Sequence, residues 1–204
     1  MKPLSQFNKG DVNVSSIETI FDGFFTIHKY QFTHALFEGG VSQTVTREIL
    51  ERGHAVAILP YDPVTEHVLL IEQIRIGAMA SKNTPWLLEC IAGMAEGCED
   101  YEFVARKEAK EEAGLDLDEL IYMRSYLSSP GGTTERLYLY LALADLSEAG
   151  GVFGLDEEHE DIKVHVMPLD EALARLDNEE IDNAATVISL QWLALNKARI
   201  SKAV

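Results

Sequence analysis

Residues 101–113, YEFVARKEAKEEA, put carboxylates where a helix should carry its core-facing side chains. Asp100 can cap the start of such a helix, and Gly114 stands where a left-handed C-terminal cap belongs. At roughly 100° per residue, Ala105, Ala109 and Ala113 share one side, with Tyr101 close by. Glu112 falls almost on Ala105 and Glu108 about 60° away, while Arg106, Lys107 and Lys110 take the opposite side and Glu111 the margin. Glu108 and Glu112 form a like-charge i,i+4 pair, destabilising by about 0.2–0.5 kcal/mol even when exposed. On an inward face the desolvation penalty is several times larger unless a cation compensates. Two readings stay open: the face meets solvent and the glutamates are simply good helix formers, or the chain folds around a divalent cation. Magnesium suits the second, because it takes hard oxygen ligands and leaves positions for water or phosphate oxygens.

The overall charge points the same way without deciding it. With 17 Lys+Arg against 34 Asp+Glu the formal net charge is −17, which argues against a nucleic-acid surface. A cluster of carboxylates binds phosphates poorly by itself but well through divalent cations. Apolar residues make up 47% of the 204, so wholesale disorder is excluded and a real core is affordable at this length. The longest apolar runs, such as 137–144, cover only about half of the roughly 20 residues a membrane helix needs. Lys2 is followed by no apolar stretch, so no secretory signal is expected. Cys90 and Cys98 form a C-x7-C pair that matches no zinc or redox spacing, and reduced thiols in a cytoplasmic protein are expected.

Along the chain, residues 1–50 mix polar positions with Phe21, Phe24, Phe25, Tyr30, Phe32 and Phe37. Alternation over 25–34 and 45–50, separated by a turn at Gly39-Gly40, predicts a small β module. From His54 the texture changes. Runs 54–60 and 67–75, joined by a Pro-Tyr-Asp-Pro turn, predict a hairpin within a mixed sheet. Further strands are expected at 86–92, 136–144 and 162–167, and closing helices at 169–176 and 183–198. Between them, 145–161 reads as one long acidic, glycine-containing loop, a length that is usually functional or disordered.

Gly93 opens the segment GMAEGCEDYEFVARKEAKEEAGL. Glu99 follows after five residues, and after seven more comes KEAKEEAGL. This resembles the Nudix box, G-x5-E-x7-R-E-U-x-E-E-x-G-U, with U aliphatic. One defined position departs: Lys107 stands where the family has arginine, which keeps the charge but not the planar fork that steadies carboxylates. The resemblance continues through ERGHAVAILPYDP, LLIEQIRIGA, TPWLLECIAGM, SSPGGTTERLY, DEEHEDIKVHV and IDNAATVISLQWL, from about residue 21 to about residue 195, and it is strongest to the ADP-ribose pyrophosphatase branch.

That resemblance implies a Nudix α/β/α sandwich with a mixed sheet over 51–204, preceded by the β module of 1–50. In this branch the module is exchanged within a homodimer and completes each substrate site. It implies Glu108 and Glu112 as main metal ligands, joined by the backbone carbonyl of Ala92 and by Glu160, with Glu111 assisting. Two to three ions of Mg2+, or Mn2+ in its place, are expected per site. Glu99 supports the site, as do Lys107, Gly114 and Gly93, the last by permitting a turn. In the acidic loop Glu158 matches the general base by position, and His159 is the alternative because its ordinary titration range suits the work. Arg47 and Arg75 match positions facing the dinucleotide, with surface ion pairing the competing reading. Ser129 and Glu135 border a flexible SSPGGTT stretch, where Glu135 is placed to hold ribose hydroxyls. Phe24 is a candidate for stacking on adenine from the other subunit. His54 and Trp86 are expected to be structural.

The activity implied is Mg2+-dependent hydrolysis of the ADP-ribose diphosphate to AMP and ribose 5-phosphate. A pyrophosphatase for another ADP- or GDP-sugar keeps the chemistry and changes the substrate. A nucleotide-binding sensor without catalysis is the rival of a different class, and the presence of all three box glutamates speaks against it.

Overall fold

The computed structural model describes residues 4, 6–80 and 82–200. Internal contacts divide the chain into two compact units, Met1–Gly53 with Leu127–Glu135, and His54–Tyr126 with Arg136–Val204.

The first unit is built on an antiparallel sheet of three strands, β1 (Val12–Asp22), β2 (Thr26–His34) and β3 (Val45–Glu51), in that order. The last two agree with the alternation in the sequence, and Gly39 and Gly40 supply the left-handed turn between them (φ 90° and 85°). Strand β1 was not legible. Its pairing with β2 is interrupted between Val14 and Ser16 and again between Thr19 and Phe21, so the period of two is lost along it. Every residue of β1 is exposed, and no residue of these three strands is buried. The stretch 127–135 joins this unit: Leu50 N–H donates to the Gly132 carbonyl at 2.8 Å and Thr134 Oγ1 to Glu51 at 2.7 Å. A module read as 1–50 therefore gains a later return of the chain that no linear boundary reveals.

The second unit contains β4 (Ala55–Asp62), β5 (His67–Ile74), β6 (Trp86–Glu89), β7 (Ile91–Met94), α1 (Tyr101–Ala113), β8 (Glu119–Leu127), β9 (Arg136–Leu143), β10 (Gly151–Phe153), β11 (Ile162–Pro168), α2 (Leu169–Asp177) and α3 (Ala184–Ile200). Its eight-stranded sheet has the order β10-β11-β5-β4-β9-β8, with β6 on β5 and β7 on β4. Strand β4 runs parallel to β9, from Ala55↔Leu137 to Tyr61↔Leu143, and antiparallel to β5 and β7, so the sheet is mixed. All of β4 is buried, as a strand covered on both faces must be. Val56 and Ile58 pack with Ala105, Ala109 and Ala113 of α1. Ala57, Leu59 and Tyr61 pack with Leu169 and Ala172 of α2 and Leu190 and Leu193 of α3. The alternation of one strand thus divides two hydrophobic cores and gives the expected α/β/α sandwich.

Three local readings change. The single strand expected over 86–92 is two strands on different neighbours, because Cys90 between them sends its N–H to Thr186 Oγ1 (2.8 Å) instead of along a ladder. Strand β8 was not foreseen. The loop over 145–161 carries β10 and a 3-10 turn at Asp156–Glu158, pieces too short to leave a periodic signal. No helix among the described residues is long and apolar enough to cross a membrane.

Candidate active site

Helix α1 is fixed at both ends by its own sequence. The Asp100 carboxylate accepts from Phe103 N–H at 3.0 Å. At the other end Gly114 takes φ 67°, and Leu115 N–H donates back to Ala109 at 3.0 Å. A Cβ at Gly114 would also run into the Phe153 ring, so two separate constraints demand glycine there. With Ala105 and Ala109 fully buried against the sheet, the helical period carries Glu112 inward as well, to 3% exposure.

Glu112 is not stranded. Its Oε2 accepts the Ala92 N–H at 3.0 Å. Burial pushes its carboxyl up to about 8, with the Glu108 and Glu160 charges adding to the effect, while the Ala92 N–H and Arg75 oppose it. Glu108 is raised too, chiefly by burial, with Lys107 opposing and Glu111 and Glu160 adding. Lys107 reaches Glu111 at 3.1 Å and Glu108 at 3.5 Å, so a lysine at this position touches both carboxylates. Glu111, at the helix margin, is half-buried.

Gly93 serves a different purpose from the one its sequence position suggests. It lies inside β7, opposite Val56, and its φ is not in the left-handed region. A Cβ there would overlap the Glu108 carboxylate. Glycine is required for close approach of strand and side chain, not for a turn.

These groups suit a divalent cation. The donors are hard oxygens, two of them on carboxylates that burial drives toward the neutral form and that a positive charge would return to the ionised one. Among the described residues no group of three or more acidic, His or Cys side chains is arranged to hold a metal ion by itself.

The acidic loop supplies a third carboxylate. Glu160 is half-buried, its Oε2 accepts Leu155 N–H at 3.1 Å, and its charge acts on both Glu108 and Glu112. Glu158 and His159 are exposed at the end of the 3-10 turn, where His159 takes the left-handed conformation (φ 57°). Glu99 is exposed just before the helix cap, where the helix dipole favours a negative charge.

Arg75 follows β5, and its Nε donates to Glu89 Oε2 at 2.7 Å. Glu89 was passed over in the sequence, although a lone charge inside the apolar run WLLECIAG is the signal that could have found it. His54 is structural: its Nδ1 lies 3.3 Å from Arg136 N–H and its carbonyl accepts from Ala95. Trp86, expected in packing, is half exposed on the short strand β6.

The remaining candidates belong to the first unit. Phe24 is 83% exposed and meets Phe25 edge-on. Arg47 is exposed and donates to the Thr46 carbonyl, with no ion pair among the described residues. Ser129 heads a tight turn, its carbonyl accepting from Gly132 and Thr133, so this part of SSPGGTT has a defined hydrogen-bonded shape. Glu135 is buried and lies 3.1 Å from Arg52 Nε as an ion pair.

Comparison with known proteins supplies the family context. The family model of the NUDIX domain matches residues 40–195. An ADP-ribose pyrophosphatase of Escherichia coli strain K12 is 50% identical over 190 residues, 93% of this chain and 91% of that protein. An ADP-ribose pyrophosphatase of Haemophilus influenzae is 44% identical over 205 residues, 99% of this chain and 94% of that protein. In three dimensions the chain is similar to a crystal structure of an ADP compounds hydrolase, with a TM-score of 0.71 and 20% identity over 93% of this chain and 96% of that one.

Proposed function

The chain belongs to the Nudix family, and on that premise we propose that it hydrolyses the diphosphate of ADP-ribose to AMP and ribose 5-phosphate. The observation that carries the chemistry is the buried Glu112 carboxylate, held by Ala92 N–H with Glu108 seated against Gly93. The choice of ADP-ribose is supported by relatives named for that substrate at 50% and 44% identity over nearly all of both chains.

In this reading Glu108, Glu112, Glu160 and the Ala92 carbonyl hold two to three ions of Mg2+, or Mn2+ in its place, with Glu111 assisting. The metal supplies charge neutralisation at the diphosphate and a more acidic bound water. Glu158 takes the proton of the attacking water. Lys107 and Glu99 steady the carboxylates. By the family resemblance Arg75 and Arg47 face phosphate, Glu135 and Ser129 the ribose, and Phe24 of a second copy the adenine. The exposed apolar side chains of the first unit support a homodimer in which this module packs on a second copy. A net charge of −17 supports a small-molecule substrate over nucleic acid, and the free thiols of Cys90 and Cys98 support the cytoplasm as the site of action.

The test is release of phosphate-containing products from a panel of nucleoside diphosphate sugars, with and without Mg2+. The expected result is the highest kcat/KM for ADP-ribose and no turnover in excess chelator. A clear preference for a GDP-sugar would move the base specificity and leave the metal chemistry in place. Full activity in chelator would overturn the mechanism.

A further inference from the structure

Strand register puts an unassigned carboxylate on the catalytic face of the sheet. Ile71 of β5 lies opposite Glu89 of β6, and residues directly opposite in a ladder share a face. Ile71 packs in the core cluster of Ala105 and Ala109, so Glu89 lies on the α1 side, as does Gly93 through its partner Val56. Its side chain is only 13% exposed, and its ion-pair partner is the half-exposed Arg75.

The way the two residues meet is informative. Arg75 is anchored through its backbone, whose N–H donates to the Pro85 carbonyl at 2.7 Å. Its guanidinium is held through Nε alone, at 2.7 Å. No other side-chain bond of Arg75 is found among the described residues, which leaves the N–H groups of Nη1 and Nη2 available. Glu89, which holds it, shares the α1 side of the sheet with Gly93, against which the Glu108 carboxylate is seated. A lysine would spend its single nitrogen on Glu89, whereas arginine can be gripped by one edge and still offer a fork to two phosphate oxygens.

We propose that Glu89 is a positioning residue that grips Arg75 by Nε and so presents its two terminal nitrogens to the substrate diphosphate beside Glu108 and Glu112. This rests on the reading of the chain as a diphosphate hydrolase. It adds a residue outside the Nudix box whose effect on the substrate passes entirely through Arg75. Each partner depends on the other, because a buried carboxylate without its cation is strongly unfavourable.

The experiment is a kinetic double-mutant cycle of Glu89→Gln and Arg75→Lys, at saturating Mg2+, on whichever diphosphate the wild type hydrolyses best. Glu89→Gln should raise KM about 10-fold with kcat changed less than about 3-fold, the pattern of lost binding orientation. Arg75→Lys keeps the charge and can still pair with Glu89, but has no further nitrogens to offer the diphosphate, and should behave alike. The double variant should be no worse than the worse single one, a coupling that two independent structural defects would not show. Additive effects, or a wild-type KM in Glu89→Gln, overturn the proposal. If Glu89→Gln does not fold, Arg75→Lys alone decides: a raised KM supports it and an unchanged KM overturns it. If the wild type hydrolyses nothing in the panel, the functional reading fails by itself, and calorimetry with inorganic diphosphate decides this one. Weaker binding to Glu89→Gln supports the grip on Arg75, and equal binding overturns it.

Discussion

The two sheets of this chain spend their apolar residues differently. In the eight-stranded sheet β4 is buried along its whole length, and Val56, Ala57, Ile58, Leu59 and Tyr61 have no exposed surface. In the three-stranded sheet β1 is exposed along its whole length, with Ile17 and Phe21 each 56% exposed and Phe24 and Phe37 more so. Hydrogen-bonded ladders exist in both, so backbone pairing is not what separates them. The eight-stranded sheet finds two helical layers for its alternating side chains, and the three-stranded sheet has no helical layer among the described residues of its own unit. An apolar face of that extent is usually kept for another surface. The same contrast holds for charge: Glu112 is buried between α1 and the sheet, while the candidate substrate residues Phe24, Arg47 and Ser129 are exposed.

The largest expected effects fall on the chemistry of the second unit. Glu158→Gln should lower kcat by about 100- to 10,000-fold with little change in KM, and His159→Ala should retain most activity. The reverse ranking would move the base to the histidine. Glu112→Gln should cost a factor of about 100 or more while the protein still folds and melts cooperatively. Stability comes next. Leu141→Ala, at a fully buried position, should destabilise by about 2–5 kcal/mol in urea unfolding, against about 0.5 kcal/mol or less for Phe24→Ala. Equal losses would erase the contrast between the sheets. Association is the sharper probe of the first unit: Ile17→Asp should shift a micromolar dimer toward monomer in light scattering. A wild type that is monomeric at that concentration and fully active would break the idea that a second copy covers this face.

A pH dependence completes the comparison. The Glu112 carboxyl is raised to about 8 in the folded chain, against roughly 4.3 when unfolded. Between those values the folded state keeps a proton that the unfolded state has lost, so rising pH favours unfolding. The metal-free protein should therefore lose stability from about pH 4.5 to about pH 8, and Glu112→Gln should flatten that slope. Mg2+ should raise the melting temperature more at pH 8.5 than at pH 6.5, because it binds the ionised form. A metal-free melting temperature that climbs over this range, alike in both proteins, would contradict the assignment.

What the sequence determined by itself is what short-range periodicity can carry. The 3.6-residue repeat placed Ala105, Ala109 and Glu112 on one face of α1, Asp100 and Gly114 marked its ends, and unbroken apolar runs marked β4 and β5, all within a few residues. Within the Nudix box the Glu108 and Glu112 spacing follows the same period, whereas Gly93 lies in a strand and Glu99 ahead of the helix. Tertiary structure decided everything that depends on a partner distant along the chain. Gly93 reads as a turn until the Glu108 carboxylate is found pressed against its strand. The break at Cys90 has its cause in Thr186, 96 residues later. Glu89 is an unremarked charge until register sets it opposite Ile71 and within 2.7 Å of Arg75. The 127–135 return joins the first unit through Leu50 and Glu51. Local repeats are imposed by backbone geometry and recur within a turn or two, whereas desolvation, steric close approach and ion pairing depend on which surfaces meet, and only the folded chain brings those surfaces together.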